Sequence, residues 1–112
     1  MVRKLQKADI DRVADIWLDT NLKAHDFISA QYWKRNFELV KEMLLQAEVY
    51  VYESDQKIQG FIGLNNDYIE GIFVSDKMQS QGIGKILLND TKDKRNELRL
   101  NVYRKNTRAI SF

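Results

Sequence analysis

The sequence predicts an α+β domain built around one mixed β-sheet, and three observations indicate this. Two segments with helical spacing of apolar residues precede three short strands that tight turns connect. Turns this short join antiparallel neighbours, so the three strands form a meander. A further helix and strand follow, and such a strand–helix–strand crossover is right-handed and makes its two strands parallel. The predicted order is β-α-α-β-β-β-α-β-α in a single domain spanning residues 1–112.

The first half of the chain contains a short strand and two helices. Val2 to Leu5 is the strand candidate. Residues 8–23 form an amphipathic helix, because their apolar side chains recur at i, i+3, i+4, i+7 and i+8: Ile10, Val13, Ala14, Trp17 and Leu18. Ser29 is the expected N-cap of a second helix over residues 30–46. One face of that helix carries Trp33, Phe37, Val40 and Leu44.

The middle of the chain switches to the two-residue period of strands. Val49 to Tyr52 is rich in residues that favour strands, and Ile58 to Leu64 follows it after a turn. The third strand, Tyr68 to Val74, follows a second turn. Strict alternation along it predicts one face made of Tyr68, Glu70, Ile72 and Val74.

The last third adds a helix, a strand and the start of another helix. The helix begins at the glycines of residues 82–84 and ends near Arg95. Leu98 to Tyr103 alternates in the manner of a strand, and residues 106–112 open a helix.

Composition excludes several chemistries. The chain has no cysteine, which excludes a disulfide framework, a thiol nucleophile and a cysteine-ligated metal. His25 is its single histidine, so no histidine-rich metal site is expected. No apolar run exceeds five residues, so no membrane span is predicted. The first ten residues lack the apolar core of a signal peptide, and a cytoplasmic protein is the expectation.

The charge is unevenly distributed. Residues 1–76 carry a net charge of −4 and residues 77–112 a net charge of +6. The basic part fits either a polyanionic ligand or solvated helix faces. Nucleic acid is a poor candidate for that ligand, because only Tyr103 and Phe112 supply aromatic stacking among these cations.

The most informative segment is Gln79-Ser80-Gln81-Gly82-Ile83-Gly84-Lys85, which follows a strand and opens a helix. Two glycines allow a tight turn, and the free amides of a first helical turn make a cradle for phosphate. A P-loop would need glycine at Gln79 and Ser or Thr at Ile86. A dinucleotide fingerprint would need a third glycine at Leu87. Both motifs are therefore rejected.

The remaining pattern, Gln/Arg-x-x-Gly-x-Gly/Ala, fits at every position and resembles the pyrophosphate loop of the Gcn5-related N-acetyltransferase (GNAT) superfamily. Three further segments resemble parts of that fold: Ile72 to Val74, Leu100 to Tyr103 and Asn106-x-x-Ala109-x-x-Phe112. The segment from His25 to Trp33 resembles the helix junction of the small bacterial YjaB/YiaC-type members. Together they cover almost the whole chain.

The resemblance implies direct transfer of acetyl from acetyl-CoA to a primary amine of a small molecule or protein, with no metal. It assigns cofactor contacts to Ile72, Phe73, Val74, Gln79, Ser80, Gln81, Gly82, Ile83, Gly84, Lys85 and Asn106. Lys85, Arg104 and Arg108 are either phosphate contacts or surface cations.

Three residues are candidates for the chemical step and the acceptor site. Glu70 is the candidate base, because an ammonium must lose a proton before it attacks; the alternative is a solvated strand carboxylate. His25 and Phe27 are candidate acceptor contacts, and His25 is alternatively a structural residue.

The chain departs from the family at its C-terminal end. The last two family strands and a tyrosine that protonates the leaving thiolate are not in the sequence. We therefore expect a C-terminally incomplete domain, with a homodimer possible through its exposed sheet edge. The alternative function is a CoA-binding or interaction module that has lost catalysis.

Overall fold

The structure is a computed structural model that describes residues 1–25, 28–65 and 68–94 and the backbone of residues 99–100. Several predictions fall outside these residues: Phe27, most of the strand Leu98 to Tyr103, the helix from Asn106 to Phe112, Arg104 and Arg108.

The α+β fold and the mixed sheet are confirmed. The strands are β1 Val2–Lys4, β2 Glu48–Ser54, β3 Lys57–Asn65, β4 Tyr68–Val74 and β5 Arg99–Leu100. The helices are α1 Ile10–Ala24, α2 Ala30–Arg35, α3 Phe37–Gln46 and α4 Ile83–Lys94, with short 3₁₀ turns at Lys7–Asp9 and Asp76–Met78. The five described strands lie in the order β1-β2-β3-β4-β5, and only β4 and β5 are parallel. The predicted meander and crossover are both present.

The predicted helix over residues 30–46 is wrong in one respect, because it is two helices that meet at Asn36. Asn36 has φ −93° and ψ 2°, outside the helical range. Its side-chain nitrogen donates to the carbonyl of Tyr32 at 2.8 Å. Asparagine competes for backbone groups in this way, which favours helix ends over helix interiors. The predicted N-cap is confirmed, since the Ser29 hydroxyl accepts a hydrogen bond from the amide of Gln31 at 3.1 Å.

Apolar side chains form one core layer on each face of the sheet. Helices α1 and α3 cover one face, where Trp17 is 2% exposed and Phe61 is fully buried. Helix α4 covers the other face, where Ile83 and Leu87 pack on Ile62 of β3. The sheet is therefore enclosed between helices on both sides, and β4 is in contact with both layers.

A β-bulge lies in the middle of β4. Gly71 pairs with Gly63 and Ile69 pairs with Leu64, so Glu70 is an extra residue without a partner on β3. A bulge of this kind reverses the alternation of side chains along a strand. Ile69 accordingly packs in the same apolar cluster as Ile72 and Val74. The predicted face that joined Glu70 to Ile72 and Val74 is therefore wrong.

An ion pair fixes the start of α1 to the edge of the sheet. The Arg3 guanidinium contacts the Asp9 carboxylate through two hydrogen bonds, at 2.8 and 3.1 Å, and its Nε donates to Glu53 at 2.8 Å. The Asp9 carboxylate also accepts the backbone amide of Gln6 at 2.8 Å. Hydrogen bonding from Arg3 holds the pKa of Asp9 below its ordinary value of 3.8.

Replacing Asp9→Asn removes this charge while the Arg3 guanidinium stays half-buried. We expect the free energy of unfolding at pH 7 to fall by about 2 kcal/mol, in urea denaturation. A lowered carboxyl pKa stabilises the fold above the ordinary pKa, and this stabilisation is lost as pH falls through the folded value. The gap between wild type and variant should therefore close below pH about 4. Asp15→Asn, on the exposed face of α1, is the control, and an equal loss there would contradict the assignment.

Candidate functional site

A cavity of about 380 Å³ lies between the last turn of α1 and the last residues of β4. Its α1 wall consists of Thr20, Asn21, Lys23, Ala24 and the following His25, and its other wall of Ile72, Phe73, Val74, Asp76 and Gln79. The fold thus brings the predicted acceptor residue His25 to the same space as four predicted cofactor residues. They are far apart in sequence, and the packing of α1 against β4 brings them together.

The β4 wall of the cavity is paired on one side. Ile72, Phe73 and Val74 pair with β3. Among the described residues, β5 pairs with β4 only at Tyr68 and Ile69, which lie at the start of the strand. Backbone donors and acceptors of an unpaired strand edge can bind an extended ligand as a further strand would. The resemblance assigns cofactor contacts to residues 72–74, and that assignment stays a prediction.

The turn from β4 into α4 has the shape of an anion cradle. The side-chain nitrogen of Gln79 donates to the carbonyl of Val74 at 3.1 Å, which fixes the turn to the end of β4. Ser80 and Gly82 have φ values of +67° and +84°. The amide of Ile86 is bonded to the carbonyl of Gly82 at 3.0 Å, so the amides of residues 83–85 form the first turn and precede the helical ladder. Such amides, together with the helix dipole, favour a bound phosphate.

The two glycines of the motif have different roles. Position 82 requires glycine because of its backbone conformation, since φ +84° is strained for other residues. Space is not the reason, because a Cβ there would meet no atom within 4 Å. Gly84 faces the sheet, where a Cβ would lie 3.8 Å from Ile72 Cγ2 and 4.0 Å from Val74 Cγ2. A Cβ at these distances would be in ordinary van der Waals contact, so the backbone requires glycine at position 82 and the described residues leave room for a Cβ at position 84.

Aromatic residues hold His25 at the edge of the cavity. The imidazole stacks on Trp33, with ring centres 5.5 Å apart and planes at 29°. Trp33 in turn meets Trp17 edge-on at 5.8 Å and Tyr32 at 5.0 Å. Trp33 packs against the core, as its helical spacing predicted. Its indole nitrogen is buried and has no hydrogen-bond partner among the described residues.

Glu70 lies elsewhere. It lines a shallower depression of about 450 Å³ together with the end of α3 and the neighbouring strand ends. The other lining residues include Met43 of α3, Glu48 of β2 and Asn65 of β3. The structure therefore does not bring Glu70 to the cavity that holds His25, and its role as base stays a prediction.

Sequence reasoning missed the contribution of the last turn of α1. Asn21 is 6% exposed, and its side chain donates to the carbonyl of Trp17 at 2.8 Å. The Lys23 ammonium contacts the carboxylates of Asp19 and Asp76, and the hydrogen bonds that it donates to both raise its pKa. The spacing of Asp19 and Lys23, four apart on a predicted helix, was the available signal. The contact of Lys23 with Asp76 could not be predicted, because Asp76 comes from a turn far away in the sequence.

Within residues 1–25, 28–65 and 68–94, no three His, Cys, Asp or Glu side chains form a group that could hold a metal ion. None of the described helices is long and apolar enough to cross a membrane. The cytoplasmic location stays a prediction.

Comparison with known proteins assigns the family. The family model described as an acetyltransferase (GNAT) domain matches residues 14–109. The peptidyl-lysine N-acetyltransferase YiaC of Escherichia coli is 33% identical, and the alignment spans 100% of this chain and 78% of that protein. The chain belongs to the GNAT family. A second relative, the peptidyl-lysine N-acetyltransferase YjaB of Salmonella typhimurium, is 30% identical over 99% of this chain and 77% of its own length.

Solved structures share the GNAT fold. Apo-form YjaB from Escherichia coli has a TM-score of 0.79 at 24% identity, covering 91% of this chain and 70% of that one. The PaiA N-acetyltransferase from Thermoplasma acidophilum, solved in complex with coenzyme A, has a TM-score of 0.76 at 19% identity, covering 96% and 81%.

Family membership confirms the predicted class, an N-acetyltransferase that uses acetyl-CoA. Which residues contact the donor stays a prediction: the resemblance assigns residues 72–74 and 79–85, and the structure places these two segments at the end of β4 and at the turn into α4. The resemblance seen in the sequence to YjaB/YiaC-type proteins is confirmed as well.

Replacing Gly82→Ala should weaken CoA binding at least tenfold in isothermal titration calorimetry. The new Cβ meets no atom, so the effect would come from the positive φ, which costs an L-residue about 1–2 kcal/mol and is relieved when the turn moves its amides. Asn89→Ala, on the exposed side of α4, is the control. If Gly82→Ala kept both the CoA affinity and the melting temperature of wild type, the turn would have moved to relieve the strain without any loss of binding, and the cradle assignment would be wrong.

Proposed function

We propose that this GNAT chain transfers acetyl from acetyl-CoA to the ε-amine of a lysine side chain in a protein. The observation that carries the proposal is the cavity between α1 and β4. It is lined by the predicted acceptor residue His25 on one side and by the predicted cofactor residues Ile72 to Val74 on the other. The names of the relatives support the acceptor class, because YiaC and YjaB are both peptidyl-lysine N-acetyltransferases.

Residues of the β4–α4 turn would hold the donor. The amides of residues 83–85 would bind the pyrophosphate, and the edge of β4 at residues 72–74 would pair with the pantetheine arm. Acetyl-CoA, when bound, supplies an acyl group that its thioester activates for attack by an amine. Ser80, Gln81 and Lys85 are exposed beside the cradle and available for phosphate contacts.

The acceptor would enter from the α1 side of the cavity. Phe73 and Val74 offer an apolar wall for the methylene stem of a lysine. His25 lies at that side with one ring face against Trp33, so its orientation is fixed. A rigid imidazole at an entrance can position an amine or accept its proton.

Glu70 remains the proposed base for the amine proton. It is the bulge residue of β4 and lies two positions before the donor strand section. Because its carboxylate lines the neighbouring depression and not the cavity, the position favours proton transfer through an intervening water over direct contact.

The direct test is incubation with acetyl-CoA and either lysine-containing peptides or a panel of small amines. Thiol release is followed continuously, and mass spectrometry locates the acetyl group. We expect acetylation of peptide lysines at a rate well above the small amines. Acetylation of the small amines alone would contradict the acceptor class. CoA binding without any acetyl transfer would instead favour the CoA-binding module.

Replacing Glu70→Gln should lower turnover by about 10²-fold with little change in CoA affinity, if Glu70 is the base. The deficit should shrink at high pH, because an amine that is already neutral needs no base. Glu42→Gln, an exposed carboxylate of α3, is the matched control and should keep full turnover. Full activity of Glu70→Gln across pH 6–9 would indicate that Glu70 is a solvated strand carboxylate and not the base.

A further inference from the structure

An ammonium group lies between two carboxylates at the mouth of the cavity. Lys23 Nζ is 3.2 Å from Asp19 Oδ2, one turn earlier in α1, and 3.3 Å from Asp76 Oδ2, in the turn after β4. Lys23 and Asp76 are part of the cavity lining. The pair therefore spans the opening from the α1 wall to the β4 wall.

The sign of this network indicates which ligand the opening favours. Two carboxylates and one ammonium give a net charge of −1 at the mouth. Such a group repels phosphate and attracts cations. A cation that displaced Lys23 would meet two carboxylate oxygens that a single ammonium group already contacts, at 3.2 and 3.3 Å.

Displacing Lys23 is energetically easy. The side chains of Lys23, Asp19 and Asp76 are 53%, 49% and 54% exposed. Ion pairs this exposed contribute little to stability, because water screens them and ordering a long side chain costs entropy. A released Lys23 ammonium would be solvated at once, so an incoming cation competes against a weak contact.

We infer that Asp19 and Asp76 form the docking position for the ammonium group of the amine acceptor, and that Lys23 occupies this position until an acceptor arrives. The inference rests on the proposed function and names the recognised chemistry, a primary ammonium on an aliphatic stem. The stem would lie along Phe73 and Val74, and the amine would leave the carboxylates when it gives up its proton. Lys23 thus competes with the acceptor for the two carboxylates and lowers the apparent affinity for acceptors.

Lys23→Met tests the competition, since methionine keeps the length and removes the charge. We expect the KM for a lysine peptide to fall about fivefold, with kcat and the KM for acetyl-CoA unchanged, the size expected when an exposed ion pair is released. Lys41→Met is the matched control: Lys41 also lies between two carboxylates, Asp11 at 3.2 Å and Glu38 at 3.4 Å, but is not part of the cavity lining. It should leave the acceptor KM unchanged.

Asp76→Asn tests the docking position itself. We expect the acceptor KM to rise about threefold, the size expected for an exposed ion pair, and the KM for acetyl-CoA to stay constant. Calorimetric binding of Nα-acetyl-lysine amide to the CoA-loaded protein gives a readout without turnover: it should tighten in Lys23→Met and weaken in Asp76→Asn. This binding assay separates the inference from the proposed function, because it gives a result even when no acetyl is transferred.

Three results would overturn the inference. An unchanged or raised acceptor KM in Lys23→Met would show that Lys23 does not compete. A raised KM for acetyl-CoA in the same variant would indicate that Lys23 contacts a phosphate of acetyl-CoA. Equal binding of the lysine amide by wild type and both variants would show that the two carboxylates do not receive the ammonium.

Discussion

The turn that carries the chain from β4 into α4 fixes where the start of α4 lies relative to the end of β4. Its geometry depends on a side-chain hydrogen bond from Gln79 to the last carbonyl of β4 and on a left-handed backbone at Ser80 and Gly82. These features aim the first amides of α4 away from the helix at the point where the strand ends. Gly84 then faces Ile72 where the helix meets the strand. A different turn would separate the cradle from the strand.

The two helical layers give this turn a fixed frame. α4 packs on one face of the sheet through Ile83 and Leu87, while α1 and α3 pack on the other. Because α1 is held at its start by Arg3 and Asp9, its last turn reaches β4 in a defined place. The cavity is the space left between that last turn and the strand. The core therefore holds the last turn of α1 and the end of β4 at a fixed separation, which leaves the cavity between them.

Much of this arrangement could be predicted from the sequence, because its determinants are local. The amphipathic spacing of α1, the Ser29 cap and the glycine-containing loop each act over a few residues. The loop indicates the family when it is taken together with the three further segments that resemble parts of the GNAT fold in the same order.

The parts that could not be predicted depend on distant contacts. The bulge at Glu70 arises from the pairing of β3 with β4, which alternation along one strand cannot reveal. The break at Asn36 is a competition between a side chain and the helical backbone that apolar spacing does not report. The contact of Lys23 with Asp76 joins two elements more than fifty residues apart. The bulge determines where Glu70 lies, and the contact with Lys23 ties Asp76 to the last turn of α1.

Titration of ¹⁵N-labelled protein with CoA, followed by backbone amide chemical shifts, shows residue by residue whether the β4–α4 turn and the adjoining edge of β4 bind the donor. We expect the largest shifts at residues 82–85, with smaller ones at residues 72–74 and in the last turn of α1. An unmoved turn, with the largest shifts at the cavity lined by Arg3, Arg12 and Lys57, would contradict donor binding at this turn.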